Sequence, residues 1–167
     1  MSTPSLFNWH LHSIRVRYQE TDRMGVVFHA NYATWFEIGR TELIRAAGLT
    51  YAAIEERGLL LPVVELRCRY IQPARYDDTV VICTRVAESS SVRIAFDSQV
   101  RRIAEPEAMR LPSFVASDAD LPGELLAEGG TRHVWVNSQW RPVRPDKLLP
   151  DLSRLLAPER ANREEEA

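Results

Sequence analysis

The feature that most constrains this chain is a stripe of large apolar residues at Tyr32, Trp35, Phe36, Leu43 and Ile44, with Gly39 and Ala47 on the same line. The i, i+3, i+4, i+7 spacing is that of a helix with one buried face. The helix is expected from Tyr32 to Gly48, where the glycine supplies a stop after the last turn. Gly39 falls mid-stripe, where a glycine lowers helix propensity by about 1 kcal/mol. The simplest explanation is another backbone pressing close, as when a sheet wraps the helix.

Ahead of the helix, Thr21, Asp22, Arg23, Met24 and Gly25 have turn composition, and Val26, Val27 and Phe28 are expected to bury that turn against the helix start. Asp22 is thereby held near a helix N-terminus. Unpaired N–H groups and the helix dipole there favour negative charge, including an oxyanion that develops during a reaction. A carboxylate beside aimed N–H donors is a hydrolytic arrangement. Taken alone, Asp22 is equally a turn former. Upstream, Ile14, Val16 and Tyr18 alternate with Arg15 and Arg17, the period of a half-buried antiparallel strand. Residues 1–12, with His10 and His12, read as a loose lead-in.

Downstream, Tyr51 to Gly58 reads as a short second helix. Alternating runs then mark strands through Val64, Leu66, Cys68 and Tyr70, through Val80, Ile82, Thr84 and Val86, and through Val92, Ile94, Phe96, Ser98 and Val100. A last strand is expected from Leu125 to Asn137, with His133 and Trp135 on one face. Residues 104–124 contain three prolines and no sustained period, and read as an inserted surface loop. The alternatives for them are a flap over the site or a subunit contact through Leu111, Phe114 and Val115. Leu148 to Leu156 is expected to form a short amphipathic turn or two, and residues 158–167 a flexible tail.

With 167 residues and 45% hydrophobic composition, the chain is expected to be one domain, its core running from about residue 13 to 144. Twenty-one basic and 23 acidic residues leave a net charge of −2, so nothing global argues for nucleic acid. No apolar run approaches the roughly 18 residues of a membrane span, and MSTPSLFNWHLHS lacks the basic start and apolar core of a signal peptide. A cytoplasmic location is expected. Cys68 and Cys83 then read as small core residues rather than a disulfide. The motifs of serine hydrolases, zinc hydrolases, P-loops and dinucleotide-binding folds are absent.

The pattern Y-x-x-T-D-x-x-G-V-V-F-H-A-N-Y followed by W-F-E-x-x-R, continued in LPVVELRCRYIQPARYDD and LLAEGGTRHVWVN, resembles the hotdog-fold acyl-CoA thioesterases of the 4-hydroxybenzoyl-CoA thioesterase type. The resemblance implies an α+β hotdog fold, an antiparallel sheet wrapped around the long helix, with a homodimer or homotetramer placing sites at the subunit boundary. It implies hydrolysis of an acyl-CoA to a free acid and CoA, with no cofactor and no metal. Asp22 matches the catalytic carboxylate, as nucleophile or general base; His29 matches the residue that opens the helix, and Tyr18 a tyrosine that accompanies them. His29 can act through its ring or only through its backbone N–H. Gly25, Val26, Val27, Glu37, Arg69, Arg75 and His133 are candidate substrate-binding residues, although Glu37 can equally pair with Arg40 one helical turn away, and His133 can equally be packing. Arg69, Arg75, Arg141 and Arg144 are candidates for the CoA phosphates, because arginine forks suit phosphate. The rivals are a non-catalytic acyl-CoA sensor or scaffold on the same fold, and a dehydratase acting on a thioester without thiol release.

Overall fold

The expected helix is α1, Asn31–Ala46, and it buries Tyr32, Trp35, Phe36, Gly39, Leu43 and Ile44, the apolar stripe itself. In the structure, a computed structural model describing residues 4–156, this helix lies across the inner face of one antiparallel sheet. The elements run β1 (Trp9–Arg15), a 3-10 turn (Tyr18–Glu20), α1, α2 (Tyr51–Glu56), β2 (Val63–Tyr70), β3 (Thr79–Ser89), β4 (Arg93–Arg102), α3 (Glu105–Ala108), β5 (Phe114–Val115), β6 (Glu124–Val134) and α4 (Pro150–Leu155). The six strands take the order β2-β6-β4-β3-β1-β5, and each recorded pairing is antiparallel. The fold is the hotdog arrangement, of the α+β class.

Two apolar clusters sit between helix and sheet. One joins Tyr32, Trp35 and Phe36 to Val80, Ile82 and Val100; the other joins Leu43, Ile44 and Ile54 to Val86, Ile94, Phe96 and Trp135. Full burial of each such side chain contributes about 1.5–3 kcal/mol, so these clusters dominate the stability. The close approach read from Gly39 is real. A Cβ built there would lie 2.7 Å from Ile82 Cγ2, and closer still to Thr84 Oγ1.

Three expectations need correction. The first strand begins at Trp9, not Ile14, and ends before Tyr18; Leu6, Trp9 and His10 are buried, so the segment read as a loose lead-in is core. Packing also continues past residue 144, through Leu149 and Leu152, beside the α4 helix that the short amphipathic reading anticipated. The segment 104–124 is more than a surface loop. It supplies α3 and the edge strand β5, and its Ala108, Leu111, Val115 and Leu121 cover a third cluster of Trp9, Leu11, Val81, Cys83 and Ile103 on the outer face of the sheet. Arg101 and Arg85 bind the carbonyls of Pro122, Gly123 and Ser117, and Arg85 also stacks over Trp9 at 4.4 Å. Prolines hid this role because they interrupt any period long enough to read. Cys68 and Cys83 are free thiols, as expected. The tail at 158–167 lies outside the described residues.

Gly39→Ala is expected to destabilise the protein by about 1–3 kcal/mol, the usual penalty for overpacking a core, even though alanine is the better helix former. Urea unfolding measures it. An unchanged or raised midpoint would show that the helix can back away from β3.

Candidate active site

The turn containing Asp22 is built from backbone hydrogen bonds across a loop. Asp22 N–H donates to Val26 O at 2.9 Å and Gly25 N–H to Asp22 O at 3.0 Å, while Asp22 Oδ1 accepts Met24 N–H at 2.8 Å. Gly25 has φ +75°, the left-handed conformation that the turn requires and glycine adopts without strain. Asp22 Oδ2 has no recorded hydrogen-bond partner among the described residues, and the residue is part-exposed. Val27 is buried and its N–H donates to Ala74 O at 2.8 Å, tying the loop to the segment before β3.

The two legs of the loop meet at Glu20. Its carbonyl accepts Phe28 N–H at 2.8 Å and the Asn31 side-chain amide at 2.8 Å. Its carboxylate, only 5% exposed, accepts Arg17 N–H at 2.8 Å and the Trp35 indole N–H at 3.0 Å. Burial pushes the Glu20 carboxyl up, but the Arg17 N–H, the Trp35 indole and the Arg17 guanidinium outweigh it and hold the group below its ordinary value.

The loop leads straight into α1. Ala30 caps the helix without a side-chain hydrogen bond. The first amides of the helix, at Asn31 and Tyr32, already donate to Phe28 O and His29 O. Among the described residues, the N–H groups of His29 and Ala30, both exposed residues, donate to no recorded acceptor. The His29 ring is exposed and packs on Phe28 with centroids 4.4 Å apart, while its carbonyl accepts the Tyr70 hydroxyl at 2.9 Å. Burial first, and the neighbouring Cys68 thiol second, push the Tyr70 phenol up to about 12, so at neutral pH it is a donor.

The other sequence candidates separate. Tyr18 lies in the 3-10 turn, not a strand, 77% exposed and edge-on to Tyr76 at 5.5 Å. Glu37 is exposed on α1, and no Glu37–Arg40 ion pair is recorded among the described residues. Arg69 is held by Glu128 at 2.5 Å on β2 and β6. Arg75 is exposed, and no ion pair of its guanidinium is recorded among the described residues. Arg141 and Arg144 are exposed in the segment after β6. His133 is 1% exposed, its ring nitrogens reach Leu61 O at 3.1 Å and Thr131 Oγ1 at 2.7 Å, and it packs on Phe96. Those surroundings match the packing alternative. Glu20 and Tyr70 escaped the sequence reading. Glu20 carries no periodic signal of its own, and the alternation at Tyr70 revealed a face but not a partner.

A helix-filled antiparallel sheet with a carboxylate-bearing loop at the helix start defines a class, and comparison with known proteins gives the family. The thioesterase superfamily model matches residues 24–107, beginning two residues past Asp22. YneP of Bacillus subtilis is 32% identical over 139 residues, which cover 83% of this chain and 88% of that protein. The acyl-CoA thioester hydrolase YbgC of Escherichia coli O157:H7 is 31% identical over 96 residues, covering 58% of this chain and 69% of YbgC. The crystal structure of a DHNA-CoA thioesterase from Staphylococcus aureus superposes with a TM-score of 0.74 at 30% identity, covering 88% of this chain and 87% of that one. The chain belongs to the thioesterase superfamily. No helix among the described residues is long and apolar enough to cross a membrane.

Burial pushes His133 and His10 down from 6.5 to about 4, His133 against the opposing pull of the Leu61 carbonyl and His10 with added repulsion from His12. Both are neutral in the fold at pH 7. A folded value below the unfolded one means that their contribution is complete above pH 6.5 and is lost as pH falls toward 4. The unfolding midpoint is therefore expected to fall across that window, and His133→Gln should flatten the dependence. An equal slope in the variant would remove His133 as a cause.

Proposed function

We propose that this protein is an acyl-CoA thioesterase in which Asp22 supplies the carboxylate and the N–H groups of His29 and Ala30 receive the oxyanion. The observation that carries the reading is the loop from Glu20 to Phe28, whose one end bears a part-exposed carboxylate and whose other end leads into unpaired amides at a helix start. Support for a CoA thioester comes from YbgC and the staphylococcal DHNA-CoA thioesterase, whose names share that substrate chemistry.

In direct hydrolysis, the Asp22 carboxylate takes a proton from water as the water oxygen adds to the thioester carbonyl carbon. The tetrahedral oxyanion is held by the two amides, and its collapse expels the CoA thiolate, which recovers the proton. In the covalent route Asp22 attacks the carbonyl itself, CoA leaves, and water cleaves the mixed anhydride. Both routes need the carboxylate. His29 serves through its backbone, since its carbonyl is fixed by Tyr70 and its ring points to the exposed Phe28. Gly25 and Val26 shape the turn, Val27 anchors it, and Arg75, with no ion pair among the described residues, suits a CoA phosphate better than the engaged Arg69.

Asp22→Asn keeps the size and turn-forming ability of the residue and is expected to lower thiol release by about 10² to 10⁴, with folding retained. Thiol release from short, long and aromatic acyl-CoAs measures it. Retention of more than about a tenth of turnover, a barrier change under about 1.4 kcal/mol, sinks this mechanism. Acyl-CoA binding by the wild type without any turnover would instead favour the sensor.

The same reading calls for a second copy. Among the described residues, β2 pairs on one side only, with β6, and leaves Val64 61%, Leu66 43% and Tyr70 50% exposed. A two-fold antiparallel pairing centred on Leu66 sets Glu65 of each copy opposite Arg67 of the other, a favourable cross-strand pair. Arg67→Glu should shift sedimentation toward the monomer, and adding Glu65→Arg should restore the dimer. A wild type that is monomeric and active at micromolar concentration removes the proposed assembly.

A further inference from the structure

We propose that Glu20 is a positioning residue that acts through Asp22, fixing the aspartate's loop at a set offset from the start of α1. The proposal rests on the hydrolase reading above. At residue 20 both legs of the loop and the helix converge. Its carbonyl holds Phe28 N–H, on the returning leg, and the Asn31 amide, on the first residue of α1. Its Oε1 reaches the indole N–H of Trp35, wholly buried one turn further along α1, and its Oε2 reaches Arg17 N–H on the entering leg. Asp22 stands two residues beyond this neck.

A carboxylate is required there for a geometric reason. Three N–H donors converge on it, the Trp35 indole and the Arg17 guanidinium on Oε1 and the Arg17 amide on Oε2, and only a carboxylate presents acceptors on both arms of that fork. Glutamine has the same size but one oxygen, so its NH₂ must face either the Arg17 amide or the Trp35 indole. A buried charge is unfavourable unless fully hydrogen-bonded, and such charge-assisted bonds are stronger and more directional than neutral ones. Glu20 therefore sets the loop more rigidly than an apolar residue sealing the same space. Displacements of about an ångström at reacting groups lower rates by up to about a hundredfold, so a slack neck is felt at Asp22 without any contact between Glu20 and substrate.

The test uses Glu20→Gln and Trp35→Phe, each alone and combined with Asp22→Asn, on the full chain with the best acyl-CoA from the screen. Glu20→Gln is expected to lower kcat by about tenfold or more with KM within about twofold, and Trp35→Phe, which removes the indole donor together with part of a buried ring, to lower kcat in the same sense by about threefold. In the Asp22→Asn background neither change should alter the residual rate by more than about twofold, because the group through which they act is gone. A general structural role would instead give the same fold loss in both backgrounds, and that result overturns the proposal, as does a kcat within about twofold of wild type in both single variants. If Glu20→Gln does not fold, Trp35→Phe decides alone by the same criteria. Full loss in Asp22→Asn with silent Glu20 and Trp35 variants sinks the positioning role only; wild-type turnover in Asp22→Asn sinks the hydrolase mechanism and this role together.

Discussion

The contact on which the rest of the structure depends is the close approach of α1 to β3 at Gly39. With no side chain at that point, the helix backbone settles onto Ile82 and Thr84, and the large residues on either side reach into the sheet. Tyr32, Trp35 and Phe36 fill one half of the interior, Leu43 and Ile44 the other. The same approach fixes where the helix begins, and so where the Asp22 loop must end. A bulkier residue would lift the whole axis, because packed interiors have no slack to absorb a misplaced methyl group.

Around that contact, polar groups are placed with unequal care. Among the described residues, Thr84 Oγ1 is buried without a hydrogen-bond partner, and so is His10 Nδ1. Glu20, in contrast, has both carboxylate oxygens and its carbonyl engaged, and His133 has both ring nitrogens engaged. Unsatisfied buried groups lower stability, so the hydrogen bonding concentrated at Glu20 marks the loop neck as a point where geometry is tightly specified.

The two edges of the sheet differ in kind. On the β1 side, the 104–124 segment adds β5 and packs a cover over the outer face, with Arg15 paired to Glu105 and Asp77 at its base. On the other side, β2 has an edge left unpaired among the described residues, with apolar side chains in the open. An edge of that sort invites another strand, whereas β5, only two residues long, offers little to pair with. The asymmetry directs any sheet-to-sheet assembly to β2, next to Tyr70 and the helix start it contacts.

The sequence by itself determined the elements whose signal is local and periodic. The stripe predicted α1 to within a residue or two, alternation predicted β2, β3 and β4, a last strand was expected where β6 lies, and the Thr21 to Gly25 composition predicted the turn around Asp22. The closeness of the helix was legible too, because a glycine in mid-stripe needs a reason. Only the tertiary structure decided what depends on partners distant in the chain. It made a strand of Trp9–Arg15, where buried histidines had disguised the pattern, and it sealed His133 against Leu61 and Thr131. It turned the proline-broken 104–124 segment into a cover, and Glu20 from an ordinary turn glutamate into a buried clamp on Trp35. Periodicity reports which face a side chain takes; it carries no record of the donor or acceptor that waits there, because hydrogen-bond partners are set by three-dimensional proximity and not by spacing along the chain.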